Sequence, residues 1–183
     1  MGRDKAGIVI QEEPLLLRQL RVLKECGVER RIVSAGVQSA GGVWDQLPFD
    51  VSLVRDSVAD LGPLAGLEQA LAAALPCETH VLVVAVDLPA MTADWLRARI
   101  AQTSPRIGVV ANLADRLEPL AAVYPVGGLA SLRRRIAQGE LAVNAWVREG
   151  IRDGWMIEYP LQSSETGLLQ NWNQPSDLPA ADA

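Results

Sequence analysis

The chain has 183 residues, of which 17 are Lys or Arg and 22 Asp or Glu, for a formal charge of -5. With 49% apolar and 21% charged residues it can bury a core, and this composition excludes intrinsic disorder. The acidic balance argues against nucleic-acid and anionic-membrane partners, and no apolar run reaches the roughly 18 residues of a membrane span.

Strand-like and helix-like segments alternate along the chain, which predicts a layered α/β fold. The start, MGRDKAG, lacks the apolar core of a secretory signal, and Ala6 stands where a myristoylation signal needs Ser or Thr, so a cytoplasmic protein is expected. Leu16, Leu20 and Leu23 predict a helix between Pro14 and Gly27. Arg31 to Ala35 reads as a short strand, followed by the loop-rich SAGVQSAGGVWDQLPFD, and Val51 to Val54 as a second strand. Gly62-Pro63-Leu64-Ala65-Gly66 leads into an Ala/Leu helix over Leu67 to Leu75. His80 to Val86 is apolar almost throughout, as in a parallel strand covered on both faces. After Asp87-Leu88-Pro89 a helix is predicted from about Thr92, with Ala93, Leu96 and Ile100 on one side. Arg106 to Ala111 and Leu120 to Tyr124 read as strands, Leu129 to Ala137 and Ala142 to Glu149 as helices, and Trp155 to Tyr159 as a last strand. There is no internal repeat and no linker long enough to divide the chain, so residues 1–183 are expected to form one domain with a mostly parallel central sheet.

Cysteine and histidine are too scarce for several chemistries. Cys26 and Cys77 lie in apolar surroundings and read as buried free thiols. The single histidine, His80, directly precedes a buried-strand pattern, where a catalytic base would be poorly placed. A zinc site needs three or four ligands from a set the chain mostly lacks.

In an open parallel sheet, ligands bind beyond the carboxyl ends of the strands, and two acidic residues lie at such ends: Asp56 after VSLV and Asp87 after VLVVAV. Each can equally be a turn residue or a helix cap. The glycines Gly62 and Gly66 allow backbone N–H groups to approach a ligand, or simply open a helix. Lys5 offers a point charge suited to phosphate, or is merely solvated.

In order, MGRDK (1–5), RDSVADLGPLAGL (55–67), VDLPAMT (86–92), RLEPLAAVYP (116–125) and NWNQPSDL (171–178) resemble the molybdenum cofactor guanylyltransferases over essentially the whole chain. The resemblance implies a three-layer Rossmann-like nucleotidyltransferase fold. It also implies transfer of GMP from GTP to the terminal phosphate of molybdopterin. By resemblance, Asp87 holds Mg²⁺, Lys5 pairs with the triphosphate, and Asp56 accepts from the guanine N1–H and amino group. Ser34 falls where the family commonly has Asn, and Gly62 and Gly66 shape the nucleotide end of the cleft. Arg116, Glu118 and Pro119 match an acceptor-side segment. Asn171 and Asn173 match a late Asn-x-Asn-x-Pro element and can also be helix caps before Pro175.

The family's RMGxDK element follows a strand and a Leu-Ala-Gly-Gly-x-Ser-x-Arg loop that wraps the phosphates, whereas this sequence begins at the Met of that element. Residues 1–183 by themselves are therefore expected to bind GTP weakly. Two alternatives stand beside the leading reading. One is a sibling that uses CTP or a sugar-phosphate acceptor. The other is a non-catalytic module that keeps the fold and binds other cofactor-assembly proteins.

Overall fold

The computed structural model describes residues 5–36, 39–55, 62–114 and 116–172. Among them are eight strands and five α-helices: β1 (Val9–Ile10), β2 (Glu13–Pro14), α1 (Leu15–Glu25), β3 (Arg31–Ala35), β4 (Val51–Arg55), α2 (Pro63–Ala72), β5 (His80–Val84), α3 (Ala93–Ile100), β6 (Gly108–Leu113), β7 (Arg116–Pro125), α4 (Leu129–Ala137), α5 (Val143–Arg152) and β8 (Met156–Pro160). Short 3-10 turns cover Lys5–Gly7, Gly42–Gln46 and Ser163–Leu169.

Local chemistry sets the helix boundaries. Pro14 precedes α1 with its φ already at -61°, and Gly27 (φ +95°) stops the chain just past it. Helix α2 begins at Pro63, four residues before the sequence pattern placed it, because a proline in the first turn loses no hydrogen bond there. Gly62 precedes it at φ 57°, ψ -147°, a conformation that excludes other residues on steric grounds. Thr92 caps α3 by accepting from the Trp95 N–H.

The expected three layers are present. One face of the four-stranded sheet β5-β7-β6-β8 carries Val110, Ala122 and Tyr124 against Leu64, Leu67 and Leu71 of α2, Leu132 of α4 and Trp146 and Val147 of α5. The other face carries Ala111 and Ala121 against Val22 of α1 and Trp95 and Leu96 of α3. Neighbouring residues Ala121 and Ala122 thus serve opposite layers, as the two-residue period of a strand requires. A third cluster joins Leu16 and Leu20 of α1 to Val33 and Leu53 of the β3–β4 pair.

The parallel expectation holds only in part. Strands β3 and β4 pair in parallel, as do β6 and β8. Strand β7, however, is antiparallel to both β5 and β6. For β6 and β7 the reason is the two-residue connection from Leu113 to Arg116, which makes a hairpin. Strand β5, expected to be parallel, is thus antiparallel to its partner, but it is covered on both faces, with Val81 and Val83 toward one layer and Leu82 and Val84 toward the other. Its residues are nevertheless all half-buried, because among the described residues β5 pairs only with β7 and β3 only with β4. Cys26 is buried as expected, but Cys77, on the turn after α2, is exposed. His80 opens β5, its ring within hydrogen-bonding distance of Thr79 Oγ1 (2.9 Å) and Ile107 O (3.2 Å), in keeping with a structural role.

Strand β7 is also longer than its apolar run, and it is bulged. Val110 faces Ala122 but Ala111 faces Glu118, so Pro119, Leu120 and Ala121 have no partner on β6. Pro119 cannot donate to a ladder, which is why the break falls there. The Tyr124 hydroxyl donates to the Pro119 carbonyl at 2.7 Å and fixes the bulge from within the core, and burial pushes that hydroxyl's pKa far up.

Gly108 makes this sheet possible at its narrowest point. A Cβ there would lie 2.2 Å from the Val123 carbonyl oxygen and 2.6 Å from Met156 Sδ. We expect Gly108→Ala to destabilise the fold by about 3 kcal/mol, read as a lower urea midpoint at unchanged slope.

Candidate functional site

Asp87 lies in the turn just beyond β5, and Lys5 opens the first 3-10 turn, 82 positions earlier in the chain. Lys5 Nζ donates to Asp87 Oδ2 at 2.8 Å, with both side chains partly open to solvent. Two of the candidate residues, Lys5 and Asp87, are thus brought together beyond the end of β5.

The turn carrying Asp87 is held from several sides. Gln19, buried on α1, donates through Nε2 to the Leu88 carbonyl at 2.5 Å. Arg18 Nε donates to the Pro89 carbonyl at 2.8 Å. The Trp172 N–H donates to the Asp87 carbonyl at 3.0 Å. Each bond uses a backbone oxygen, so the Asp87 carboxylate itself is left to Lys5 and to whatever enters the cleft. Nothing in the spacing marks Gln19 except that it interrupts the apolar stripe of α1, where a polar residue must find a partner.

A second carboxylate stands beside the first. The register of β5 on β7 runs from His80↔Pro125 to Val84↔Ala121, and the Ala85 N–H continues it by donating to the Leu120 carbonyl at 2.8 Å. Asp87 follows Ala85 by two residues and Glu118 precedes Leu120 by two, which leaves the carboxylates near enough for the Asp87 charge to act on Glu118. Burial raises the pKa of Glu118, and the Asp87 charge adds to this, while Arg116, 2.5 Å from its Oε1, works in the other direction. The site is thus a row of two carboxylates flanked by cations: Lys5, Asp87, Glu118, Arg116. The resemblance assigns Glu118 to an acceptor side, but its nearness to Asp87 follows from the pairing of β5 with β7, which spacing alone does not reveal.

The other predicted residues divide. Ser34, on β3, lies beneath α2, and a Cβ on Gly66 would come 2.8 Å from its Oγ. Gly66 therefore serves close packing of helix on strand. Gly62 sits immediately before α2. Arg116 and Asn171 line one cleft of about 510 Å³, together with Leu113, Thr166, Gly167, Leu169 and Gln170. Asp56 and Asn173 lie outside the described residues.

Among the described residues, no group of three or more His, Cys, Asp or Glu forms a metal cage. Asp87 and Glu118 supply hard oxygen donors of the kind that suits a divalent cation completing its shell with phosphate oxygens and water. This donor set fits Mg²⁺ and does not fit a closed four-ligand zinc site.

The raised pKa of Glu118 carries a sign for stability. Above its folded-state pKa the buried charge costs the native state, and below the ordinary 4.5 that cost disappears. Glu118→Gln is therefore expected to raise the thermal midpoint at pH 7.5, with the gain shrinking as pH falls toward 4.5. The lost pairing with the mostly exposed Arg116 offsets little of it. Scanning calorimetry of both proteins across that range measures this.

Similarity to known proteins agrees with this geometry. A protein of Opitutus terrae described as "Probable molybdenum cofactor guanylyltransferase" is 36% identical over 178 residues, which is 97% of this chain and 86% of that protein. The "Molybdenum cofactor guanylyltransferase" of Rhizobium johnstonii is 32% identical over 192 residues, 100% of this chain and 85% of its own. Among solved structures, a nucleotidyl transferase from Methanothermobacter thermautotroptrophicus superposes with a TM-score of 0.75 at 21% identity, covering 94% of this chain and 81% of that one. Molybdopterin-guanine dinucleotide biosynthesis protein A from Archaeoglobus fulgidus gives 0.69 at 19% identity, covering 96% and 87%. These two likenesses establish the fold. The MobA-like NTP transferase domain matches residues 1–153, and the chain belongs to that family.

Proposed function

We propose that this protein is a molybdenum cofactor guanylyltransferase, which transfers GMP from GTP to the terminal phosphate of molybdopterin. The observation that carries the reading is the Lys5–Asp87 pair at the end of β5, beside Glu118, in a chain whose relatives bear that name across nearly its whole length. An oxygen of the acceptor phosphate attacks the α-phosphorus of GTP. The bond from that phosphorus to the oxygen bridging the α- and β-phosphates breaks, and pyrophosphate leaves. Such an in-line displacement needs positioning and charge neutralisation more than covalent chemistry.

The roles follow from charge and place. Lys5 neutralises triphosphate charge and, with its ammonium on Asp87, keeps that carboxylate oriented toward the phosphates. Asp87, with Glu118 beside it, is the donor set for Mg²⁺, and a bound Mg²⁺ supplies charge stabilisation at the transferring phosphoryl group. Gly62 and Gly66 border the nucleotide, with Ser34 beneath them and Asp56 at the guanine. Arg116 and Asn171 face the acceptor phosphate, and the resemblance gives Asn173 an acceptor-side role as well. The reading places the whole of residues 1–183 in one cytoplasmic domain. No helix among the described residues is long and apolar enough to cross a membrane.

The test is guanylyl transfer measured by pyrophosphate release, with molybdopterin as acceptor and Mg-GTP or Mg-CTP as donor. Mg-GTP is expected to support turnover and Mg-CTP to be the poorer donor. A preference for CTP would reassign the base, and release with neither would end the enzymatic reading. Asp87→Asn is expected to lower the rate about a hundredfold or more with an unchanged circular dichroism spectrum. Near-normal turnover by that variant would place the metal elsewhere.

A further inference from the structure

The acceptor-side cleft has two unequal walls. Leu113 and Arg116, at the tip of the β6–β7 hairpin, make one. Thr166, Gly167, Leu169, Gln170 and Asn171 make the other, and all five belong to the strap that leaves β8 and returns to the Asp87 turn. The shape of the cleft therefore depends on what holds that strap.

The strap is held at a point away from the cleft. Glu165 accepts from the Tyr159 hydroxyl at 2.9 Å (Oε2) and 3.1 Å (Oε1), and from the Gln162 N–H at 2.9 Å. Its Oε1 lies 3.7 Å from Nη1 of Arg99, whose side chain is only 8% exposed. The guanidinium carbon of Arg99 sits 3.3 Å from the centre of the Tyr159 ring and 4.9 Å from that of Trp95. Arg99 Nε and Nη1 are buried without a hydrogen-bond partner among the described residues. A guanidinium that deep needs a compensating charge, and the strap brings one in Glu165. Leu169, 1% exposed, packs into the same layer as Trp95 and Leu96. Three residues further on, the Trp172 N–H reaches the Asp87 carbonyl.

We propose that Arg99, Tyr159 and Glu165 form a latch that positions the strap, and through Asn171 and Trp172 sets the acceptor-side cleft against Asp87. None of the three touches that cleft, so all are positioning residues. They act on a phosphate-bearing acceptor because the cleft presents Arg116 and the amides of Gln170 and Asn171. Their assignment to the acceptor rests on the transfer reaction proposed above, whereas the latch itself does not.

Two variants and two readouts separate these parts. In Glu165→Gln the carboxylate is lost at constant size, and in Tyr159→Phe only the hydroxyl is lost, which keeps the ring under Arg99 should the first variant fold poorly. Hydrogen exchange over residues 163–172, followed by mass spectrometry on the intact protein, is expected to speed up roughly tenfold in either variant, the worth of about one net hydrogen bond. With turnover, KM for molybdopterin is expected to rise severalfold while KM for Mg-GTP holds. Unchanged exchange in both variants overturns the latch. Faster exchange with equal rises in both KM values overturns its assignment to the acceptor side. A wild-type protein that releases no pyrophosphate refutes the transfer reading, yet the exchange result still decides the latch.

Discussion

The constraint on which the site depends is the placing of two carboxylates side by side at the end of one sheet. Asp87 and Glu118 repel each other, and burial sharpens the repulsion at Glu118. The fold keeps them together by flanking the pair with cations from distant parts of the chain, Lys5 on one side and Arg116 on the other. It also anchors the Asp87 turn through backbone carbonyls, bonded by Arg18, Gln19 and Trp172. The anchoring leaves the charged oxygens available while the backbone cannot yield. Such preorganised negative charge is costly in the empty protein and becomes useful when a cation and a polyphosphate enter.

Strand β7 is the element that makes the pairing possible. Running against its neighbours, it starts at the site and ends in the core, so its first residues face the ligand side while Ala121 to Tyr124 fill both layers. The three-residue bulge re-aims Arg116 to Glu118 relative to that core segment. Proline at the break and tyrosine beneath it specify the offset chemically: one cannot donate to a ladder, and the other has a buried hydroxyl that must bond something.

Much of the architecture is legible in the sequence because burial imposes periodicity. Strand β3 and helix α4 lie where the apolar pattern puts them, and α1 within two residues of it. Strand direction is less legible: β7 reads as one more apolar strand, and only the two-residue connection before it gives away its reversal. The Lys5–Asp87 pair is visible through ordered motifs, not through spacing, since 82 residues separate the partners. The neighbourhood of Asp87 and Glu118 depends on register, which single-residue patterns do not encode. Gln19, Arg99, Tyr159 and Glu165 escape for a different reason. A polar side chain buried beneath a neighbour looks, in sequence, like one facing water.

The two-residue connection between β6 and β7 also bears on how the chain finds this structure. Closing so short a loop costs little entropy, so the hairpin from Gly108 to Pro125 can form early and present edges on both sides. Strand β8 arrives on one edge after the chain has passed through α4 and α5, and β5 on the other across α3. On that route the charged row at the strand ends comes together on a scaffold already in register, which spares the growing core from having to organise around unpaired carboxylates.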